Sequence, residues 1–273
     1  MIYLILSIIA SVAIGNLLHF YKIKDSKLKI LQVFLGNYLV ASLVSFFMIG
    51  KFDFEIVGLD IGLGLIFGIM FLVNFIFYQI NIVKNGMSMS ISVMRISVVV
   101  PIIISLLVFK ESLPWLNYVG IIIVILAFLM MGKSSSIRNK IWLFLLFFIT
   151  GFTEIGMKLF NEVASAPNNQ MLFYLFTSAF IINLLILIQR KEKIQAKYIG
   201  AGLLLGIPNQ LTSYFFLMGL NSVEAAFAYP LVASNVVLLG FLTDKFIWKS
   251  KFSRQQYLIY GLILIGVILL NLK

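Results

Sequence analysis

The chain has 273 residues, 62% of them hydrophobic and 11% charged, with a net charge of +11, no cysteine and one histidine. Soluble domains are nearer half apolar and a quarter charged, so a water-facing fold of this size is excluded and lipid must solvate the surplus. The absence of cysteine excludes disulfides and thiolate chemistry, and His19 alone builds no histidine metal site.

In chain order, continuous apolar runs predict ten transmembrane helices at roughly 2–21, 30–49, 58–80, 88–109, 115–132, 141–158, 170–188, 198–218, 224–243 and 256–272, each close to the ~20 residues that cross a bilayer. Ten crossings take about 200 residues and leave about 70 for loops and ends, too few for a soluble domain. The first run begins at Ile2 with no basic segment before it. Its lysines, Lys22, Lys24, Lys27 and Lys29, come after it, as in a first membrane helix and unlike a cleaved signal. The runs lack the period-two alternation of membrane strands.

The positive charge is concentrated in alternate loops. Loop one (Lys22, Lys24, Asp25, Lys27, Lys29), loop five (Lys133, Arg138, Lys140), loop seven (Arg190, Lys191, Glu192, Lys193, Lys197) and loop nine (Asp244, Lys245, Lys249, Lys251, Arg254) are strongly basic, and loop three carries Lys84. Loop two (Lys51, Asp53, Glu55, Asp60) is acidic. Loop four (Lys110, Glu111) and loop six (Lys158, Glu162) are neutral, and loop eight carries Glu224. The positive-inside rule then puts odd loops in the cytoplasm and both termini outside. The same rule explains the net charge without nucleic acid. Trp115, Trp142 and Trp248 fall at predicted helix ends, where interfacial indoles belong, and His19 is placed at the interface too.

Splitting the chain after helix five pairs acidic loop two with basic loop seven, and neutral loop four with basic loop nine. A duplicated five-helix unit inserts its second copy upside down, because five is odd. The charges are arranged as that inversion requires. A trace of the duplication survives: "LVFKESLPWLNYVGIIIVILAFLMMGK" (107–133) runs parallel to "GFLTDKFIWKSKFSRQQYLIYGLILIGVILLNLK" (240–273). The expected organisation is therefore two inverted repeats, 1–133 and 134–273. Such halves serve alternating access to a central site.

Helix four, "SISVMRISVVVPIIISLLVFKESL", with its mid-helix Pro101, Phe109-Lys110-Glu111 and Leu113, resembles the fourth helix of the EamA-like ten-helix proteins of the drug/metabolite transporter superfamily. Helix nine, "AAFAYPLVASNVVLLGFLTDKF", is similar to its second-half equivalent, with Asp244 in place of the usual Glu and Pro230 nearer the helix start. The resemblance implies eight helices around a cavity with helices five and ten outside it. It also implies a carrier of small metabolites, often an exporter.

Arg95 lies about 11 Å into helix four, counting from Ser88 at ~1.5 Å per residue. Three readings stand: its head snorkels to the cytoplasmic surface, it pairs with another buried charge, or it binds a substrate carboxylate or phosphate. In helix six, Glu154 and Lys158 are an i,i+4 pair that either neutralises itself or supplies the coupling group, with protons the candidate coupling ion. Asn74 and Tyr78 with Asn81 form a polar stripe on helix three. Asn209 on helix eight and Tyr229 and Asn235 on helix nine complete the candidate substrate ligands, although helix packing also selects such residues. Pro101, Pro208 and Pro230 are candidate hinges.

The expectation is an all-α polytopic protein of the bacterial cytoplasmic membrane, a monomer or weak homo-oligomer. It exports a small metabolite, such as an amino acid or another carboxylate or phosphate compound, by alternating access, without cofactor or metal. A proton-coupled exporter of cationic lipophilic drugs is the alternative within transport; a membrane scaffold or sensor is the alternative outside it. No H-E-x-x-H, G-x-S-x-G, catalytic cysteine or intramembrane aspartate pair supports an enzyme, and no nucleotide-binding motif points to ATP.

Overall fold

A bilayer offers the backbone no hydrogen-bonding partner, so an apolar chain this long is driven to satisfy each N–H and C=O within helices. In a computed structural model, which describes residues 1–21, 27–49, 57–85, 87–132, 139–191, 193–249 and 251–272, the protein is all-α. The helices are α1 (Ile2–Tyr21), α2 (Lys27–Ile49), α3 (Gly58–Asn85), α4 (Met87–Ile96), α5 (Val99–Leu107), α6 (Trp115–Gly132), α7 (Lys140–Val163), α8 (Asn168–Gln189), α9 (Ala196–Leu220), α10 (Ala225–Phe246) and α11 (Arg254–Asn271). The expected fourth span is thus two helices, α4 and α5. Among the described residues seven helices are long and apolar enough to cross a membrane; three shorter apolar stretches, Ile2–Leu17, Val93–Leu107 and Trp115–Met130, bring the set to ten. The charges assigned to loop one before Lys27, to loop two before Val57 and to loop five before Asn139 lie outside the described residues, as does the side chain of His19.

The chain divides into two compact units. One comprises Ile2–Val73 with Met157–Asn221; the other comprises Asn74–Gly156 and Ser222–Lys273, together with Met1. Each therefore draws helices from both ends of the sequence.

In the first unit α2 packs on α8 and α9, and α1 packs on α9. Glycines set the closest approaches. A Cβ on Gly202 of α9 would lie 1.9 Å from the Val33 carbonyl oxygen of α2, and one on Gly206 would lie 2.6 Å from the Asn37 carbonyl. The same device holds α3 on α8: a Cβ on Gly68 would lie 2.4 Å from the Leu175 carbonyl, and one on Gly64 would lie 2.4 Å from the Tyr174 Cβ. The segments carrying these glycines are "GLGLIFGI" (62–69) and "GAGLLLGI" (200–207), which share one glycine spacing. Small-xxx-small contacts of this kind let helices meet by van der Waals packing where no hydrophobic drive exists. The α3–α8 and α9–α2 contacts are related by pseudo-symmetry between the third helices of the two halves.

Some buried polar side chains of this unit bond backbone groups of neighbouring segments. Asn183 donates to the Leu31 carbonyl at 2.9 Å, and Gln32 donates to the Lys193 carbonyl while accepting the Gln195 N–H. Asp60, counted with loop two from the sequence, is instead fully buried in the first turn of α3, where its carboxylate accepts the Ser165 and Ala166 N–H groups at 3.3 and 2.8 Å. Lys158 is buried and forms an ion pair with Glu162, one turn on, at 2.5 Å.

In the second unit α6 and α11 cross at Gly120 and Gly266, where a Cβ on either would come within 2.8–3.1 Å of the other's carbonyl oxygen, and Asn117 donates to the Leu270 carbonyl. The fourth spans of the two halves end alike. The Val108 and Phe109 N–H groups both bond the Ile104 carbonyl, and Lys110 follows at φ 54°. The Ile247 and Trp248 N–H groups both bond the Thr243 carbonyl, and Lys249 follows at φ 51°. A left-handed residue commonly terminates a helix, with glycine the usual choice; here lysine takes the place and adds a positive charge beside the negative end of the helix dipole.

The glycine spacing generates a prediction. Gly202→Ala and Gly68→Ala should each lose about 1–3 kcal/mol of stability by overpacking against a carbonyl. Gly200 and Gly62 have nothing within 4 Å of an added Cβ, so the same change there should leave the melting temperature unchanged or raise it. Thermal melts of the four variants in detergent check this, and equal losses at all four positions would refute the packing account.

Candidate functional site

The second unit contains Arg95, Asn74, Tyr78, Tyr229, Asn235 and Glu154, together with Pro101 and Pro230; Asn209, Lys158 and Pro208 belong to the first unit. The site is built on the end of α3. Its lower polar residues fasten α7 alongside in antiparallel order. Asn85 accepts the Asn139 N–H at 2.8 Å and donates to its carbonyl at 3.2 Å, Asn81 donates to the Trp142 carbonyl at 2.8 Å, and Asn74 accepts the Thr150 hydroxyl at 2.7 Å. The stripe read from the sequence therefore has two uses. Asn74, Asn81 and Asn85 are ties to α7, and Tyr78, one turn from each of the first two, interacts with Arg95.

Against α7 lies the broken fourth span. Proline has no N–H for the carbonyl four residues earlier, and its ring crowds that carbonyl. For Pro101 the carbonyl is that of Ser97, and the break falls there: α4 ends at Ile96 and α5 starts at Val99. The orphaned Ser97 carbonyl takes the Val100 N–H at 2.9 Å in a tighter turn, the Val98 N–H reaches the Arg95 carbonyl at only 3.4 Å, and the Ser97 hydroxyl bonds the Met94 carbonyl at 2.6 Å. Pro208 and Pro230, by contrast, sit inside α9 and α10 without interrupting them. Gly151 admits the restarted helix, since a Cβ there would lie 2.5 Å from the Cβ of Val100.

Arg95 is the penultimate residue of α4, directly before the break. It is half-buried, and it interacts electrostatically with Glu154 of α7 and Tyr78 of α3. Among the described residues no hydrogen bond or ion pair joins Arg95 to Glu154. The Glu154 Oε2 atom is buried without a hydrogen-bond partner. The backbone of Glu154 is held instead, because the buried Tyr229 of α10 donates its hydroxyl to the Glu154 carbonyl. Asn235 turns its amide onto its own helix, donating to the Leu231 carbonyl at 2.8 Å. The result is a guanidinium, a carboxylate and a phenol that interact electrostatically, with hydrogen-bonding capacity left over on both charges. Arg95 presents planar paired N–H groups suited to carboxylate or phosphate, and Glu154 presents an oxygen suited to a proton or an ammonium. Charges inside a membrane span are costly and are usually turned toward a cavity or partner. Among the described residues no three of His, Cys, Asp and Glu gather to hold a metal ion.

The sequence singled out Arg95 and Glu154 from their burial in apolar runs. It missed Ser97, Gly151 and Thr150, which position them. Pro101 was the available signal for Ser97, since the residue four before a proline loses its helical partner.

Residues 139–272 match the family model of the EamA-like transporter family. An uncharacterized protein of Haemophilus influenzae is 24% identical over 93% of this chain and 92% of its own length. A protein of known crystal structure has the same fold, with a TM-score of 0.75 at 12% identity over 99% of this chain and 98% of that one.

If Pro101 causes the break, Pro101→Ala restores an N–H to the Ser97 carbonyl and extends one helix through 97–101, with a gain of up to about 3 kcal/mol. A rise in melting temperature with slowed amide exchange at Val98–Val100 is the expected result; an unchanged exchange pattern would assign the break to the Ser97 hydroxyl instead.

Proposed function

We propose that this protein is a secondary transporter of a small organic metabolite bearing a carboxylate or phosphate, working as an exporter by alternating access. The observation that carries the proposal is Arg95, set at a break in its helix and interacting electrostatically with Glu154 without closing an ion pair. Broken helices with unsatisfied groups near mid-span are where membrane transporters bind their substrates. In this reading Arg95 takes the anionic group of the substrate by a bidentate contact, while Asn74, Tyr78, Tyr229 and Asn235 of the same unit line its path. Glu154 is the coupling group. Its carboxylate can exchange a proton when substrate displaces its charged partner. The family match over 139–272, the second of the two proposed repeats, supports a transporter.

The repeats are taken as 1–133 and 134–273, inverted with respect to one another, with both termini on the outer side of a bacterial cytoplasmic membrane. The alternating loop charges support that orientation, and the Haemophilus relative supports a bacterial setting. The unpartnered Glu154 oxygen also favours a second reading, a proton-coupled exporter of lipophilic cations in which Glu154 binds the cation and Arg95 is structural.

The test is untargeted metabolite profiling of medium and cells in a bacterial host expressing wild type, Arg95→Gln or Glu154→Gln at matched levels. The expected outcome is that an anionic or zwitterionic metabolite accumulates in the medium with wild type and that Arg95→Gln abolishes this. A shift confined to cationic compounds, lost only in Glu154→Gln, would replace the first reading by the second. Orientation has its own check: a reporter fused after Lys273 is expected to read periplasmic, and a cytoplasmic signal would overturn the assigned topology.

A further inference from the structure

A second feature of the unit that holds Arg95 is used by none of the chemistry above. Between α4 and α7 runs a groove of 330 Å³ lined by Val93, Ile96, Lys140, Leu143, Phe144 and Phe147. Its floor is Leu143, which is buried, and its wall is Phe144, which is 62% exposed. Every lining group is apolar except Lys140, the first residue of α7. The two helices start at one end of the unit, because Asn85, just before α4, is bonded to Asn139, just before α7. The groove therefore begins at a helix end, where Lys140 sits, and runs inward. Seven residues separate Lys140 from Phe147, about 10 Å along the helix axis, or roughly a third of a ~30 Å hydrocarbon core.

We infer that this groove is a binding site for an anionic phospholipid, with the phosphate at Lys140 and one acyl chain laid along Leu143, Phe144 and Phe147 against Val93 and Ile96. The charge pattern selects this occupant. Lys133, Arg138 and Lys140 follow one another in sequence, and no Asp or Glu occurs between Lys133 and Glu154, so a lipophilic cation is repelled where an anionic headgroup is drawn in. The dimensions agree, since a groove of about 330 Å³ running about 10 Å along α7 has room for the upper part of an acyl chain. Basic residues at a membrane surface attract anionic lipid headgroups, an attraction that fades beyond the Debye length. Lys140 has both that charge and an adjoining apolar slot, which makes the site specific to a lipid over a free anion.

Lys84 supplies the control. It lies at the same end of the unit, with its ammonium 5.2 Å from the Trp142 ring centre, and it does not line the groove. The experiment is native mass spectrometry of the full-length protein in detergent, titrated with phosphatidylglycerol or with phosphatidylcholine of the same acyl chains. Wild type is expected to retain phosphatidylglycerol in preference to phosphatidylcholine. Lys140→Gln should lower phosphatidylglycerol affinity by about fivefold, the effect of one lysine at an anionic surface, while Lys84→Gln stays at the wild-type value. Val93→Trp, which fills the slot, should reduce retention of both lipids. Equal losses in the two lysine variants, retention of both lipids unaffected by Val93→Trp, or displacement of phosphatidylglycerol by millimolar inorganic phosphate would each overturn the assignment, the last by showing a site for free anion.

Discussion

The hydrocarbon interior gives the polypeptide backbone no water to bond, and the rest of the structure follows from how the chain meets that constraint. Helices satisfy the backbone internally. Their ends and connections need help, and buried side-chain amides and carboxylates provide it: Asn117 on the Leu270 carbonyl, Gln32 on the Lys193 carbonyl and the Gln195 N–H, and Asp60 on the Ser165 and Ala166 N–H groups. These side chains look like misplaced polarity in a sequence. In the fold they complete the hydrogen bonding of a neighbouring segment.

The same constraint shapes the packing. Lipid tails are as apolar as leucine, so helices associate through close fit and not through exclusion of water. Glycine pairs on α3 and α9 bring backbones together at one spacing in both halves of the chain. A fit of this kind tolerates little drift: where a Cβ would meet a carbonyl oxygen below 2.5 Å, no larger residue enters without moving a helix. Two stretches far apart in sequence, "GLGLIFGI" and "GAGLLLGI", thus carry glycines at the same spacing.

Against this background the interruption at Ser97 and Val98 stands out. Three prolines lie within membrane helices, yet only the helix bearing Arg95 breaks. There the freed carbonyls take long or shortened turns, and the guanidinium and the Glu154 carboxylate interact electrostatically without closing an ion pair. An unclosed pair costs stability at the place where a ligand has most to gain by completing it. Tyr229 and Gly151 hold α7 against α10 and α5 so that this arrangement keeps its geometry.

Hydropathy and charge in the sequence determined the number and approximate span of the helices, because length and apolarity are properties of contiguous residues. They also marked Arg95 and Glu154, because a charge in an apolar run is visible without coordinates. Pairing was another matter. The sequence offered Lys158 to Glu154 at favourable helical spacing, but the fold gives it Glu162, at the same spacing in the other direction. Asp60 read as a loop charge and is fully buried against a connection more than a hundred residues away. One proline of three breaks its helix, and one part of a polar stripe ties helices while the next faces a charge cluster. Each of these depends on which residues from distant segments arrive at the same place, and only the tertiary structure decides that, since hydrogen bonds and charge pairs act over a few ångströms of space whatever the separation along the chain.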